Sequence, residues 1–295
     1  MRRWIPLEDC LTKRTGIQEE DGQHVRHAVI IAAGTGTRFG NATHLRPKPL
    51  LQVAGESLIM RTLLTARRAG LDQFTVVTGY CAKVLEEFLD REKAGNLDIR
   101  CIYNERWRRP NGLSVLRARG EVPEPFVLLM SDHLFDAEIL LRLLDAPLSD
   151  GHCRLAVDFH PENIMDLGDA TKVEVKDGWV VNIGKDIERY NGIDTGIFLC
   201  SHGIFPAIEA AVLKGKESLS DGIRELAGRQ CMEAVDMGTL FWQDVDDEVT
   251  LLEGERRLRQ LSQQKANQRP YLDKDRAAFR RGKNSFAPLR PRSTT

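Results

Sequence analysis

The sequence predicts an α/β protein with a mainly parallel sheet and a small antiparallel insertion in its second half. Three observations carry that expectation. Ala28-Val29-Ile30-Ile31-Ala32-Ala33 is a short apolar run ending in a glycine-rich turn, the pattern of a strand buried on both faces. Similar runs recur up to residue 130, separated by stretches whose apolar residues fall at helical spacing. Beyond residue 153 short strands follow one another closely, and Asp177-Gly178 between two of them is a hairpin signal.

Taken in order, the first strand at 28–33 leads through its glycine turn to a helix at 57–70, which stops at Gly70, and a second strand at 73–78. A helix at 82–92, a strand at 99–103, a helix at 113–119, a strand at 126–130 and a helix at 137–144 complete the parallel half. Strands at 153–159, 171–176, 179–183 and 193–200 make the insertion, expected as a lid or substrate wall, and helices follow at 203–213, 219–227 and after Asp247. Residues 1–26 read as a polar N-terminal extension, 27–264 as the domain, and 265–295 as a flexible basic tail. In such a fold ligands gather at the carboxyl ends of the parallel strands.

At 295 residues and 42% hydrophobic content, the chain suffices for one large core. Its 42 Lys and Arg nearly cancel its 43 Asp and Glu, so net charge does not point to nucleic acid or an anionic membrane. The six cysteines, at 10, 81, 101, 153, 200 and 231, contain no C-x-x-C pair and read as reduced thiols. The N-terminus lacks a signal-peptide core, and no apolar run nears the ~20 residues that span a bilayer, so a cytoplasmic protein is expected.

The segment Ala32-Ala33-Gly34-Thr35-Gly36-Thr37-Arg38-Phe39-Gly40 follows the first strand directly. Glycines there let backbone N–H groups turn toward phosphate oxygens, and the cations of Arg46-Pro47-Lys48-Pro49-Leu50 would finish neutralising a triphosphate. A P-loop is excluded, because five residues separate Gly34 from Gly40 and Asn41-Ala42 follows. A dinucleotide fold is disfavoured, because Thr78-Gly79-Tyr80 ends the second strand where an acidic residue would take the ribose. Asp132 closes the apolar strand 126–130, and Asp246 precedes the final helix; two carboxylates from distant parts of the chain suit Mg²⁺, which takes oxygen ligands and bridges phosphates. Asp244 is an alternative ligand or a support for the ligands, Asp247 reads as a helix cap, and His133 as a structural group, with orienting Asp132 or contacting substrate as its other readings.

The glycine loop with Pro47-Lys48-Pro49-Leu50 resembles the signature of the nucleotidyltransferases that make nucleotide sugars and CDP-alcohols. The resemblance implies their Rossmann-like, nucleotide-diphospho-sugar transferase fold. Across about 27–260, Asn111-Gly112-Leu113-Ser114, Met130-Ser131-Asp132-His133, Ala170-Thr171-Lys172-Val173, Ile183-Gly184-Lys185-Asp186, Asp194-Thr195-Gly196 and Trp242-Gln243-Asp244-Val245-Asp246 are similar to the CTP:inositol-1-phosphate cytidylyltransferase branch. That branch is often fused to a membrane domain that consumes CDP-inositol, and this chain is expected to be the stand-alone half, its product passing to a separate membrane CDP-alcohol transferase. The resemblance implies that Ala32, Ala33, Gly34, Gly36 and Thr37 wrap the nucleotide, that Arg38 and Lys48 contact the triphosphate, and that Asn111, Gly112 and Ser114 lie near base or ribose. It assigns Mg²⁺ to Asp132 and Asp246 and the acceptor phosphate to Lys185, with Lys172 as the substitute. Asp194 and Thr195 read equally as ligands of acceptor hydroxyls and as an ordinary turn.

The expected chemistry is attack by an alcohol's phosphate on the α-phosphorus of an NTP, CTP by resemblance. The attacking phosphate is largely dianionic at neutral pH, so alignment and charge screening matter more than a general base. Phosphocholine, another phosphoalcohol or a hexose 1-phosphate remain alternative acceptors, and a non-catalytic NTP sensor is the alternative outside the enzymes.

Overall fold

A computed structural model describes residues 25–39, 47–93, 97–164 and 166–263. The predicted N-terminal extension up to residue 24, Arg46 and the basic tail from 264 onward lie outside the described residues. The first strand, β1 (His27–Ala32), is buried at every position after its first. Ala28, Ile30 and Ala32 point into one apolar core and Val29 and Ile31 into another, the two-sided burial expected of a central parallel strand. A short ribbon of β2 (Gln52–Val53) and β3 (Glu56–Ser57) precedes α1 (Leu58–Arg68), which starts where the Ser57 hydroxyl accepts from the Met60 N–H. There follow β4 (Gln73–Thr78), α2 (Ala82–Lys93), β5 (Asp98–Tyr103), α3 (Gly112–Arg117), β6 (Phe126–Met130), β7 (His133–Phe135) and α4 (Ala137–Leu143).

The second half runs through β8 (Cys153–Asp158), β9 (Lys172–Lys176), β10 (Trp179–Gly184) and β11 (Gly192–Cys200) to α5 (Ile204–Leu213) and α6 (Leu219–Ala227). Helix α6 opens on a reciprocal capping box between Ser218 and Asp221. Strands β12 (Met232–Asp236) and β13 (Trp242–Asp244) lead to a last helix, α7, at residues 248–263. Every helix and strand expected from the sequence is present; β2, β3, β7, β12 and β13, each of two to five residues, were not anticipated.

One nine-stranded sheet, ordered β5-β4-β1-β6-β11-β8-β12-β10-β9, organises the chain. The first four strands are mutually parallel. Strand β11 runs antiparallel to both β6 and β8, and also pairs with β9. The second-half strands therefore do not form a separate lid. They extend the same sheet, because β11 supplies β6 with a hydrogen-bonded neighbour instead of leaving it an open edge. Helices α1, α2 and α4 cover one face, and α3, α5 and α6 the other.

A third, small apolar cluster of Phe39, Val53, Leu58, Leu134 and Val245 lies near the carboxyl edge of the sheet. It ties the end of the glycine loop, the β2–β3 ribbon and the segment before α7 into one body. Leu134 and Val245 in that cluster anchor the segments that carry Asp132 and Asp246.

Candidate active site

The glycine loop leaves β1 and takes a left-handed turn at Gly36, φ +64°. A methyl group there would stand 2.7 Å from the Cβ of Lys48, so glycine is needed both for the turn and for the close approach. Lys48 opens a single 3₁₀ turn between Pro47 and Pro49, whose fixed φ angles stiffen the backbone there, and the residue is 7% exposed. A buried ammonium needs partners. Its Nζ donates to Asp132 Oδ2 at 2.6 Å and Asp246 Oδ1 at 2.7 Å.

Those carboxylates are 114 residues apart in sequence and adjacent in space because β7 and β13 pair, with Asp244 opposite His133. The Val245 N–H donates to the Asp132 carbonyl at 2.9 Å. Beyond it, the Thr250 hydroxyl accepts from the N–H groups of Asp246 and Asp247, and Asp247 accepts from the Thr250 N–H at 2.8 Å. Asp247 thus caps α7, as the sequence suggested.

Burial alone would raise the Asp132 carboxyl, yet the Lys48 ammonium and the nearby His133 hold it at about 2. Lys48 responds in kind: desolvation pulls its pKa down, and the two carboxylates more than reverse that, so it stays charged. Asp244 is pushed up by burial and by the charges of Asp246 and Asp132 beside it. His133 is held by its Nδ1, 2.8 Å from the Thr195 carbonyl, with Nε2 3.6 Å from Asp132 Oδ1. It sits in space that Gly196 leaves free, since a Cβ at 196 would come within 2.3 Å of the imidazole. It also lines the larger cavity beside Asp132.

Two cavities open on this cluster and share Arg38, Asn111, Met130, Asp132 and Asp246 in their walls. The smaller, about 320 Å³, is lined by Ala32, Ala33, Gly34, Gly36 and Thr37 together with Lys48 and Ser114. It also takes Trp107 and Arg109, which the sequence reading missed. Trp107 fits there because a side chain at Gly79 would come within 2.4 Å of its Cβ, and Arg109 is held by Glu217 through two bonds at 2.8 and 2.7 Å. The larger, about 700 Å³, lies toward the second half and is lined by Lys185, Asp194, Asp158, Asp169 and Trp242, among others.

The structure sorts the remaining expected residues. Asn111 lies in both walls and accepts from the Leu219 N–H at 3.0 Å. Gly112 lines neither cavity; a Cβ there would meet the Glu217 carbonyl at 2.4 Å, so it is a packing glycine that lets α3 approach the start of α6. Asp194 lines the larger cavity, and its carboxyl, raised to about 6 by burial, accepts from the Gly196 N–H at 2.7 Å. Thr195 is a correction: it is fully buried and its hydroxyl donates to the Ala156 carbonyl, because alternation along β11 sends it to the opposite side from Asp194. Lys172 also stays outside the cavity walls and donates to the Lys185 carbonyl at 2.7 Å, supporting that residue's backbone. The cysteines at 81, 101, 153, 200 and 231 form no disulfide among the described residues, and Cys10 lies outside them.

The donor set suits a hard divalent cation. Lys48 Nζ marks the point where oxygens of Asp132 and Asp246 converge, and an ion taking that place would meet oxygen ligands from two carboxylates. Among the described residues no group of three or more His, Cys, Asp or Glu forms a metal cage. A cation held by few protein ligands, with water and phosphate oxygens completing its shell, fits that arrangement.

The profile of the MobA-like NTP transferase domain matches residues 28–266. The bifunctional IPC transferase and DIPP synthase of Rubrobacter xylanophilus is 38% identical over 221 residues, covering 74% of this chain and 49% of that protein. The protein of the same name from Aquifex aeolicus is 34% identical over 224 residues, covering 75% and 49%. The chain thus spans about half the length of these curated relatives. Among solved structures, the inositol-1-phosphate CTP transferase from T. maritima superposes with a TM-score of 0.69 over 77% of this chain and 91% of that one, at 24% identity, a likeness of fold. Among the described residues no helix is long and apolar enough to cross a membrane.

Proposed function

The chain belongs to the MobA-like NTP transferase domain family, and on that premise we propose that it transfers CMP from CTP to inositol 1-phosphate, releasing pyrophosphate. The observation that carries this reading is the meeting of two cavities at Asp132, Asp246 and Arg38. The nucleotide occupies the smaller cavity, its phosphates against the glycine loop. The acceptor occupies the larger one and presents its phosphate where the cavities join. The names of the relatives supply the acceptor and the base.

Nucleotidyltransferases of this kind generally use a divalent metal, and Mg²⁺ is the ion proposed here. Asp132 and Asp246 would hold it, and when bound it would draw charge from the phosphate oxygens. Lys48 and Arg38, released from those carboxylates, turn to the triphosphate and screen its repulsion from the incoming phosphate. Lys185 steadies the acceptor phosphate. Asp194 and Asp158, in the wall of the larger cavity, accept from hydroxyls of a polyol. No side chain needs to remove a proton from the attacking group, since a phosphate monoester is largely dianionic near pH 7. The product is taken to feed a separate membrane enzyme of the CDP-alcohol class, and the protein to work in the cytoplasm.

The test is pyrophosphate release with CTP, UTP, GTP and ATP, each paired with inositol 1-phosphate, phosphocholine and glucose 1-phosphate in Mg²⁺. Turnover confined to CTP with inositol 1-phosphate is the expected result. Turnover with another pair replaces the substrates, and NTP binding without turnover in any pair removes the enzymatic reading.

A further inference from the structure

Charged groups alternate in one line across both cavities. Lys185 and Arg38 each bind a different oxygen of Asp169, the second at 2.6 Å. Arg38 also binds Asp246 at 2.7 Å, and Asp246 and Asp132 share Lys48. Every cation that the reaction assigns to a phosphate is thus already paired with a carboxylate in the free protein. With substrates bound, Asp132 and Asp246 would exchange Lys48 for a metal ion. Asp169 has no such exchange open to it, and it would stand as an extra negative charge beside two polyanions.

We propose that the Asp169 carboxylate occupies, in the free protein, the position of the acceptor's phosphate between Arg38 and Lys185, and that this phosphate displaces it. The inference rests on reading the larger cavity as the acceptor's. A carboxylate bridging two cations through separate oxygens presents the same contacts as two oxygens of a phosphate. The phosphate brings a third oxygen and more charge, so the exchange favours it. Asp169 is placed to leave: it sits in the turn before β9, its backbone N–H donates to Asp166 Oδ1 at 3.1 Å, and its side chain is 34% exposed. Arg38 and Lys185, at 48% exposure each, are equally open to the cavity. Until displaced, Asp169 competes with the acceptor's phosphate for Lys185 and for Arg38.

Titration of inorganic phosphate into the full chain by calorimetry, at low ionic strength and without nucleotide, decides this. Asp169→Asn removes the competing charge and is expected to bind phosphate roughly fivefold tighter than the unaltered protein, the scale of a half-exposed ion pair. The gain should vanish when Lys185→Gln is added, which places the bound phosphate beside Lys185 instead of in the nucleotide cavity. Asp169→Ser, which lacks an amide to bond the cations, should show the same gain, and matching thermal melts establish that each variant is folded. Phosphate binding that is unchanged, weaker or undetectable in Asp169→Asn overturns the proposal; weaker binding would mean that Asp169 only orients Lys185. Because the probe is phosphate itself, the result stands whichever alcohol the enzyme uses, while failure of inositol 1-phosphate to turn over would remove the substrate assignment alone.

Discussion

Strands β5, β4, β1 and β6 run parallel to one another, and the site residues gather at and beyond their carboxyl ends. From β11 outward the sheet is mixed, and the site residues lie in strands or tight turns: Asp194 inside β11, Asp158 at the end of β8, Asp169 before β9 and Lys185 after β10. On the proposed reading the two regions would hold their ligands by different means. The parallel half offers backbone N–H groups and small residues, which suit a triphosphate common to many reactions. The mixed half offers side chains fixed to a rigid wall, which suit a particular acceptor. At the seam, Asp132 comes from the first half and Asp246 from the second, and Lys48 joins them.

Changes at the seam should fail for every substrate pair. Asp132→Ala is expected to lower kcat by about 10³ whatever the acceptor, measured as pyrophosphate release, since charge stabilisation at the reacting phosphorus is the main contribution. A drop limited to one acceptor would place Asp132 in the acceptor wall instead. Next in size, Gly36→Ala forces a side chain into a left-handed turn already in contact with Lys48. It should cost roughly 30-fold in kcat/KM for the nucleotide, with little change in acceptor KM. Equal damage to both substrates would break the division between the halves.

On the acceptor side, Lys185→Ala should raise the acceptor's KM about tenfold and leave nucleotide KM nearly unchanged, read from initial rates with either substrate saturating. The smallest effect is expected at Asp194, whose carboxyl burial lifts to about 6 from an ordinary 3.8. A folded-state pKa above the unfolded one means that the folded chain holds its proton more tightly. Stability from this group is therefore complete below the ordinary value and is lost as pH rises through about 6. Asp194→Asn keeps an acceptor for the Gly196 N–H without the buried charge. Melting curves should show it more stable than the parent by a few degrees, about 4 °C, at pH 7.5 and no more stable at pH 4. A gain at both pH values would mean that packing, and not ionisation, is responsible.

The parallel half was readable because its logic is local. The strand 28–33, the glycines after it and the Pro-Lys-Pro unit each impose a conformation within a few residues, and Arg38, Lys48 and Asp132 lie next to such signals. Trp107 and Arg109 escaped because the segment that carries them has no periodicity, and the space for Trp107 exists only opposite Gly79. Asp169 escaped because a turn aspartate is ordinary in sequence. Thr195 was misplaced because it was paired with Asp194 as a ligand of acceptor hydroxyls, although neighbouring residues of the expected strand 193–200 point to opposite sides.

By itself the sequence determined the α/β class, the order of the major elements, the glycine loop and the positions of most charged groups that the fold later brings together, all of which follow from periodicity and turn chemistry over short spans. Only the tertiary structure decided that the second-half strands extend the first sheet, that β7 and β13 bring Asp132 to Asp246, and that Asp169 lies between Arg38 and Lys185. Those facts are pairings between residues tens to hundreds of positions apart, and they are settled by which strand edges and buried charges find partners when the chain closes on itself.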